Sequence, residues 1–186
     1  MLHQIQELDT QAFLFLNQLH ADWLDRPMYW ITQTETWIPF YLLLVIWLIK
    51  TYKQKSIYMI LALVLTIVLA DQFTSSFLKP FVARLRPCHV LYLSGKIHAV
   101  TNCGGQYGFA SSHAANSFGL ATAVLLLGII ELKYFYAILV WAFIVSYSRI
   151  YVGVHYPLDV ISGAIIGIFC AIISVTLRNR LKFALP

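Results

Sequence analysis

The sequence places His155 and Asp159 four residues apart, with Pro157 between them and Arg149 upstream. Proline suits the first turn of a helix, where its fixed φ and missing N–H cost little. A helix opening at Pro157 puts Asp159 in that first turn. From there its carboxylate reaches back and holds one imidazole nitrogen of His155 protonated. The other nitrogen is then free to act as a nucleophile. Arg149 supplies the planar fork that grips phosphate oxygens in pairs, and Lys79 and Arg86 add further cations. Ser111 and Ser112 precede an apolar run, where hydroxyls and free backbone N–H groups at a helix start form an anion site. His113 follows them, placed to protonate a leaving oxygen and later to take a proton from water. The chemistry these types compose is phosphoryl transfer through His155. Gly104, Gly105 and Gly108 would let backbone approach a ligand, although a glycine cluster alone is weak evidence.

The elements that must position these groups follow from composition. The 186 residues are 60% hydrophobic and 11% charged, against about 25% charged in soluble domains. Lipid is therefore the main solvent. The expected fold class is all-α, a polytopic membrane helical bundle of about five transmembrane helices plus an N-terminal amphipathic interfacial helix. We read residues 1–186 as one domain, with the interfacial helix in 1–27, the bundle in 28–186 and the active site in 79–159. Leu2, Ile5, Leu8, Phe13, Leu16 and Leu19 recur at helical spacing among polar residues, and Asp22, Asp25, Arg26 and Pro27 are expected to break that helix. The first span begins near Trp30 or Trp37, and the rest are expected at about 57–78, 113–130, 134–148 and 158–177. The first residues are too polar for the apolar region of a signal peptide.

Charge at mid-bilayer costs about 2.5–3.5 kcal/mol per group even on the mild insertion scale, so the reactive charges must sit where water reaches. With five alternating spans, Lys50, Lys53, Lys55, Lys133, Arg178, Arg180 and Lys182 share one side, which the positive-inside rule makes cytoplasmic. Lys79, Arg84, Arg86, Lys96 and Arg149 fall on the other side, with the N-terminal helix. The net charge of +5 thus reads as membrane topology, and no nucleic acid partner is expected. Cys88 and Cys103 share the external loop. They form a disulfide if that loop faces an oxidising periplasm, or else stand as two ordinary small residues. Asp71, within an apolar segment, is read as support for the cations. Arg84 receives no role, nor do His3, His20, His89 and His98. The tryptophans and tyrosines read as interface-belt residues.

Lys79, Arg86 and Pro87 match KxxxxxxRP, while Ser148, Arg149, His155 and Asp159 match SRxxxxxHxxxD. Together they resemble the signature of the type 2 phosphatidic acid phosphatase superfamily, which also includes vanadium haloperoxidases. The family's middle motif, PSGH, stands here as Ala110, Ser111, Ser112 and His113, so proline and glycine are replaced. The resemblance runs from Lys79 to Asp159. It implies a phosphohistidine at His155, a reaction without metal or other cofactor, and a membrane lipid phosphate or diphosphate as substrate. With the small size of the chain it also implies a bacterium, and the face opposite the cytoplasmic positive charges is then the periplasmic side of the inner membrane, where the active site is expected.

Undecaprenyl diphosphate ranks first among substrates, because the external loop of about 88–108 leaves little protein to read a large headgroup. Phosphatidylglycerol phosphate, phosphatidic acid and lipid A phosphates are the alternatives. A two-metal hydrolase would draw on clustered carboxylates, and the external motifs offer only Asp159. A non-enzymatic lipid-phosphate binding or transport protein is the rival of another class. Five spans are few for repeat-based alternating access.

Overall fold

The computed structural model describes residues 2–184, with the side chains of Leu2 and of residues 182–184 left aside; the topological reading of Lys182 therefore lies outside the described residues. Among the described residues the chain is helical, with one isolated antiparallel bridge between Leu85 and Tyr107. The helices are α1 (Leu2–Gln18), α2 (Asp22–Thr32), α3 (Ile38–Tyr52), α4 (Ser56–Asp71), the short α5 (Lys79–Val82), α6 (Ser112–Leu126), α7 (Leu132–Tyr151) and α8 (Pro157–Ala184). Three helical stretches are long and apolar enough to cross a membrane: Thr34–Val82, Leu132–Tyr151 and Pro157–Leu181. The first is folded at Lys53, whose φ of 50° terminates α3 in the left-handed region, so that α3 and α4 pack together. Their core joins Leu48, Met59 and Leu63 to Leu120, Val124 and Val175.

Three local devices position the site. The backbones of α6 and α8 meet closely because Gly163 and Gly167 are spaced as a small-residue pair. A methyl group at Gly167 would stand 2.0 Å from the Ala115 carbonyl oxygen. Small residues at this spacing let transmembrane helices touch backbone to backbone, and here they bring the start of α6 against the first turn of α8. Between α4 and α5, Gln72–Leu78 winds as a π-helical stretch, a local rewinding often found at functional sites. It sets Asp71, Ser75 and Lys79 towards Ser112. Finally, the loop between α5 and α6 is cross-linked by a Cys88–Cys103 disulfide, the bridged alternative of the two open at these cysteines.

The N-terminal region departs from expectation in two ways. The break falls before Asp22, and Asp22, Asp25, Arg26 and Pro27 form the first half of α2. Acidic residues suit a helix start, and burial of Met28 against Tyr151, Val152 and Val154 holds the helix despite Pro27. In α1, the inward face is not the expected apolar stripe. Asp9, Phe13 and Asn17 are buried, while Leu8 and Phe15 are each 65% exposed.

Candidate active site

His155 sits in the turn between α7 and α8 and is 1% exposed. Its Nδ1 lies 3.4 Å from Asp159 Oδ2, which also accepts the Tyr156 N–H at 3.0 Å. Pro157 opens α8 and Asp159 lies in its first turn, as the spacing predicts. The separation of 3.4 Å is long for a hydrogen bond, and such contacts commonly tighten when substrate is bound. Burial, and then the charges of Arg149, Arg86 and Lys79, push the His155 imidazole well below its ordinary value. It is therefore neutral at pH 7, the protonation state a nucleophile needs.

The three cations stand around this ring on different elements. Arg149, near the end of α7, donates from Nη1 to Thr32 Oγ1, while its buried Nε has no partner. Arg86 donates to the Tyr107 carbonyl at 3.2 Å and the Cys103 carbonyl at 2.8 Å. Through Cys103 the cross-linked loop holds that guanidinium in place. Lys79 donates to Ser112 Oγ at 2.9 Å and Ser75 Oγ at 3.3 Å, and Ser75 in turn donates to Asp71 at 3.3 Å. Asp71 thus touches Lys79 only through a hydroxyl. Ser112, standing where the motif has glycine, gives the lysine its shortest contact.

Ser111 has a different place from the one expected. It is the N-cap of α6, its Oγ accepting from Ala114 at 3.5 Å, and its own N–H donates to the Asp159 carbonyl at 2.9 Å. Its polar groups are committed to structure. The N–H groups of Ser112 and His113, first in α6, have no intrahelical acceptor and remain for an anion.

Two residues of this centre carried no assignment in the sequence reading. Arg84 donates from Nη1 to Asp159 Oδ1 at 3.0 Å and from Nη2 to Asp9 Oδ2 at 2.6 Å, with its guanidinium 3.9 Å above the Tyr156 ring. Asp9 Oδ1 accepts the Leu158 N–H at 2.9 Å. Burial pushes the Asp9 carboxyl up, while the Leu158 N–H and Arg84 pull against that. The only sequence signal was an arginine inside the first motif; nothing pointed to Asp9.

Three cavities meet at the site and share Thr34. A polar one of about 380 Å³ lies between α2 and the cross-linked loop, with Arg86, His113 and Arg149 in its wall. A second, of about 180 Å³, contains Asp71, Ser112, His113 and Asn116. The third, of about 280 Å³, is lined by Leu44, Ile60, Leu63, Ile67 and Leu120 and also takes in Asn116 and Tyr41.

The structure thus gathers a buried histidine paired with a carboxylate, three cations and an apolar groove beside them. The profile of the PAP2 superfamily matches residues 57–183, and the chain belongs to that family. It is a bacterial membrane protein and a lipid phosphate hydrolase. The chain is 39% identical over 173 residues to the lipid A 4'-phosphatase of Bacteroides thetaiotaomicron, covering 91% of this chain and 76% of the relative. It is 33% identical over 151 residues to the undecaprenyl-diphosphatase of Sulfolobus acidocaldarius, covering 77% and 64%. The crystal structure of Aquifex aeolicus LpxE superposes with a TM-score of 0.69 at 31% identity, over 91% of this chain and 95% of that one.

Proposed function

We propose that the protein removes a phosphate from an acylated glycolipid of the lipid A class, at the periplasmic face of the inner membrane, through a phosphohistidine at His155. Nε2 of His155 attacks phosphorus while Asp159 holds Nδ1–H. Arg149, Arg86, Lys79 and the free N–H groups of α6 take the phosphoryl oxygens. His113 gives its proton to the departing alkoxide. Water then attacks the phosphohistidine, His113 takes its proton, and phosphate leaves with His155 restored. No metal enters this scheme: Asp159, the carboxylate against His155, is already held by Arg84 and by the Tyr156 N–H.

The observation that carries the substrate class is the cavity arrangement. In-line attack by His155 puts the leaving group on the His113 side. His113 lines the polar cavity and the junction beside it, and the junction shares Asn116 and Tyr41 with the apolar groove. A leaving group filling that space has a polar body and apolar chains together. An acylated sugar has both, whereas a prenyl phosphate continues directly into bare hydrocarbon. Asn116 Oδ1, buried without a partner at the junction, suits an amide or hydroxyl where a chain joins the body. The ranking that placed undecaprenyl diphosphate first is accordingly revised. That ranking rests on the short loop and on a periplasmic face that suits lipid A equally well, and Thr32, Gln33 and Glu35 add further wall at and just beyond the end of α2. Undecaprenyl diphosphate remains the second reading, favoured by the similarity to the Sulfolobus enzyme.

For the topology we propose five crossings, by α3, α4 with its π-helical continuation, α6, α7 and α8. The Tyr52 hydroxyl reaches the Gly128 carbonyl at 3.5 Å, so the Lys53–Lys55 turn and the turn before Lys133 share one end, the cytoplasmic one. The active site is at the other. Helix α6 has 15 residues, rising about 22 Å. It spans as the buried centre of the bundle, which is why its sequence is rich in Ala, Ser and Gly. Helix α1 lies in the periplasmic interface with Leu8 and Phe15 towards lipid.

The test is phosphate release in detergent with chelator present, from lipid A, undecaprenyl diphosphate, phosphatidylglycerol phosphate and phosphatidic acid. Release from lipid A, lost in His155→Ala, is the expected result. Release only from undecaprenyl diphosphate would reverse the ranking, and activity restored only by added magnesium would remove the metal-free scheme.

A further inference from the structure

Asp9 and Arg84 take no part in the scheme above, yet both oxygens of Asp9 and both ends of the Arg84 guanidinium are bonded. The guanidinium of Arg84 uses its two ends on two carboxylates, Asp159 at 3.0 Å and Asp9 at 2.6 Å. Asp9 belongs to α1, the amphipathic helix at the start of the chain, and is 5% exposed. Its second oxygen accepts the N–H of Leu158, the residue beside Asp159. Asp159 in turn faces His155 with the oxygen that Arg84 does not use.

We propose that Asp9 is a positioning residue for the reaction: it shares the charge of Arg84 with Asp159, and so sets how strongly Asp159 holds the Nδ1–H of His155. Through it, α1 is part of the catalytic apparatus as well as a membrane anchor. This rests on His155 being the nucleophile.

The physics is a division of one positive charge between two negative ones. With Asp9 ionised, the group behind His155 carries two carboxylates and one guanidinium, a net single negative charge. Against it stand Lys79 from α5, Arg86 from the loop and Arg149 from α7, with His113 of α6 completing the surround. Neutralising Asp9 cancels the negative charge behind the ring and leaves Arg84 to act on Asp159 alone. The carboxylate then accepts more weakly from His155, the ring is less fixed, and its free nitrogen is less basic and less nucleophilic. A bridge that merely tethered α1 would lower stability on removal and leave the imidazole unchanged.

The test uses Asp9→Asn in the full chain, which keeps an oxygen for the Leu158 N–H and removes the charge together with the oxygen that accepts from Arg84. With lipid A in detergent micelles, kcat is expected to fall about tenfold or more with KM little changed, and the acid limb of the pH–rate profile to move to lower pH. Asp9→Glu should restore much of the rate and return the limb towards its wild-type position. With 15N-labelled histidine, the His155 resonance of wild type should report an Nδ1–H tautomer, and that of Asp9→Asn a loss of it. An unmoved limb together with an unchanged His155 resonance overturns the proposal, whatever happens to stability. Should Asp9→Asn fail to fold, Arg84→Lys replaces it, because an ammonium cannot fork between both carboxylates. It must then displace both readouts, and unchanged readouts overturn the proposal there too. Wild type incubated with 32P-labelled lipid and quenched with alkaline detergent, which preserves the acid-labile phosphorus–nitrogen bond, tests the nucleophile separately: absence of phosphohistidine there removes the reading of His155, while the resonance still reports whether Asp9 acts on its ring.

Discussion

The cations in front of His155 and the ion pairs behind it use the same residue types to opposite ends. Behind, both ends of Arg84 are taken, both oxygens of Asp9 are taken, and Asp159 is bonded through both of its own. In front, Arg149 keeps a buried Nε without a partner, Lys79 meets only hydroxyls, and Arg86 leans on two neutral carbonyls. Buried charge is tolerated when paired and hydrogen-bonded, and is costly otherwise. The rear therefore stores stability, and the front stores unmet demand, which under the proposed scheme an incoming phosphate dianion would satisfy. One arginine type serves as scaffold or as ligand site according to what already occupies its fork.

The strongest way to break that comparison is to remove the group between the two regions. His155→Ala should cost at least about a thousandfold in kcat, since losing the attacking group leaves only binding and oxyanion stabilisation. Substantial residual turnover would show that the front alone does the chemistry. The same ring makes a pH prediction. Its imidazole sits well below its ordinary value because of burial and the three cations. A lowered value keeps the neutral, reactive form at more acid pH, so the acid limb of kcat/KM should lie below about 6.5, the unperturbed imidazole value. A limb above that value would mean that the rear carboxylates outweigh the front cations.

Next in size come paired substitutions, one on each side. Arg149→Met should lose about 10²–10³ in kcat, as for an oxyanion-stabilising donor, with thermal stability unchanged or raised, because an under-partnered buried charge has been removed. Arg84→Met should lose activity and also about 3–5 kcal/mol of stability, because two buried carboxylates are left without their partner. Equal losses of stability from both would erase the distinction between front and rear. Smaller again is Gly167→Ala, whose methyl group meets the Ala115 carbonyl oxygen and pushes α6 from α8. Overpacking of this kind costs about 1–3 kcal/mol, and here it should lower kcat as well, since Ser111 and Asp159 are joined across that contact.

The front, the histidine and Asp159 stood out in the sequence, and the rest of the rear did not, for a physical reason. Lys79, Arg86, His113, Arg149, His155 and Asp159 are polar groups in an apolar chain, at spacings that helix geometry explains, so each stands out against its neighbours. Ser111 was legible as a residue but not in its use, because capping and ligand binding draw on the same hydroxyl. Arg84 bonds to residues 75 positions away in either direction, and a bridge of that kind leaves no local period. Asp9 lay in a segment where alternating polar and apolar residues pointed to an interfacial helix. The helix is there, but its inward face is Asp9, Phe13 and Asn17 rather than the leucines. Asn17 is drawn inward by the carbonyls of His98, Ile150 and Tyr151, all from distant parts of the chain. Tertiary partners decided which face was buried.

The smallest expected effect is the most discriminating for the front. Asp71 would be a direct counter-ion to Lys79 if the two touched, and an acidic residue in an apolar helix invites that reading. The geometry interposes Ser75, with 3.3 Å on each side of its hydroxyl. Influence passed through a neutral hydroxyl is weaker than a charge contact, and the Lys79 ammonium keeps its 2.9 Å bond to Ser112 whether or not Asp71 is ionised. Asp71→Asn, which still accepts from Ser75, should therefore change kcat by only about two- to threefold, the order of a single weak hydrogen-bond difference. Ser112→Ala should cost more than Asp71→Asn, since it removes the closer partner. A loss of tenfold or more in Asp71→Asn, measured with lipid A in detergent, would mean that the front also depends on a fixed counter-ion, and that its cations are less free for phosphate than their open hydrogen bonds imply.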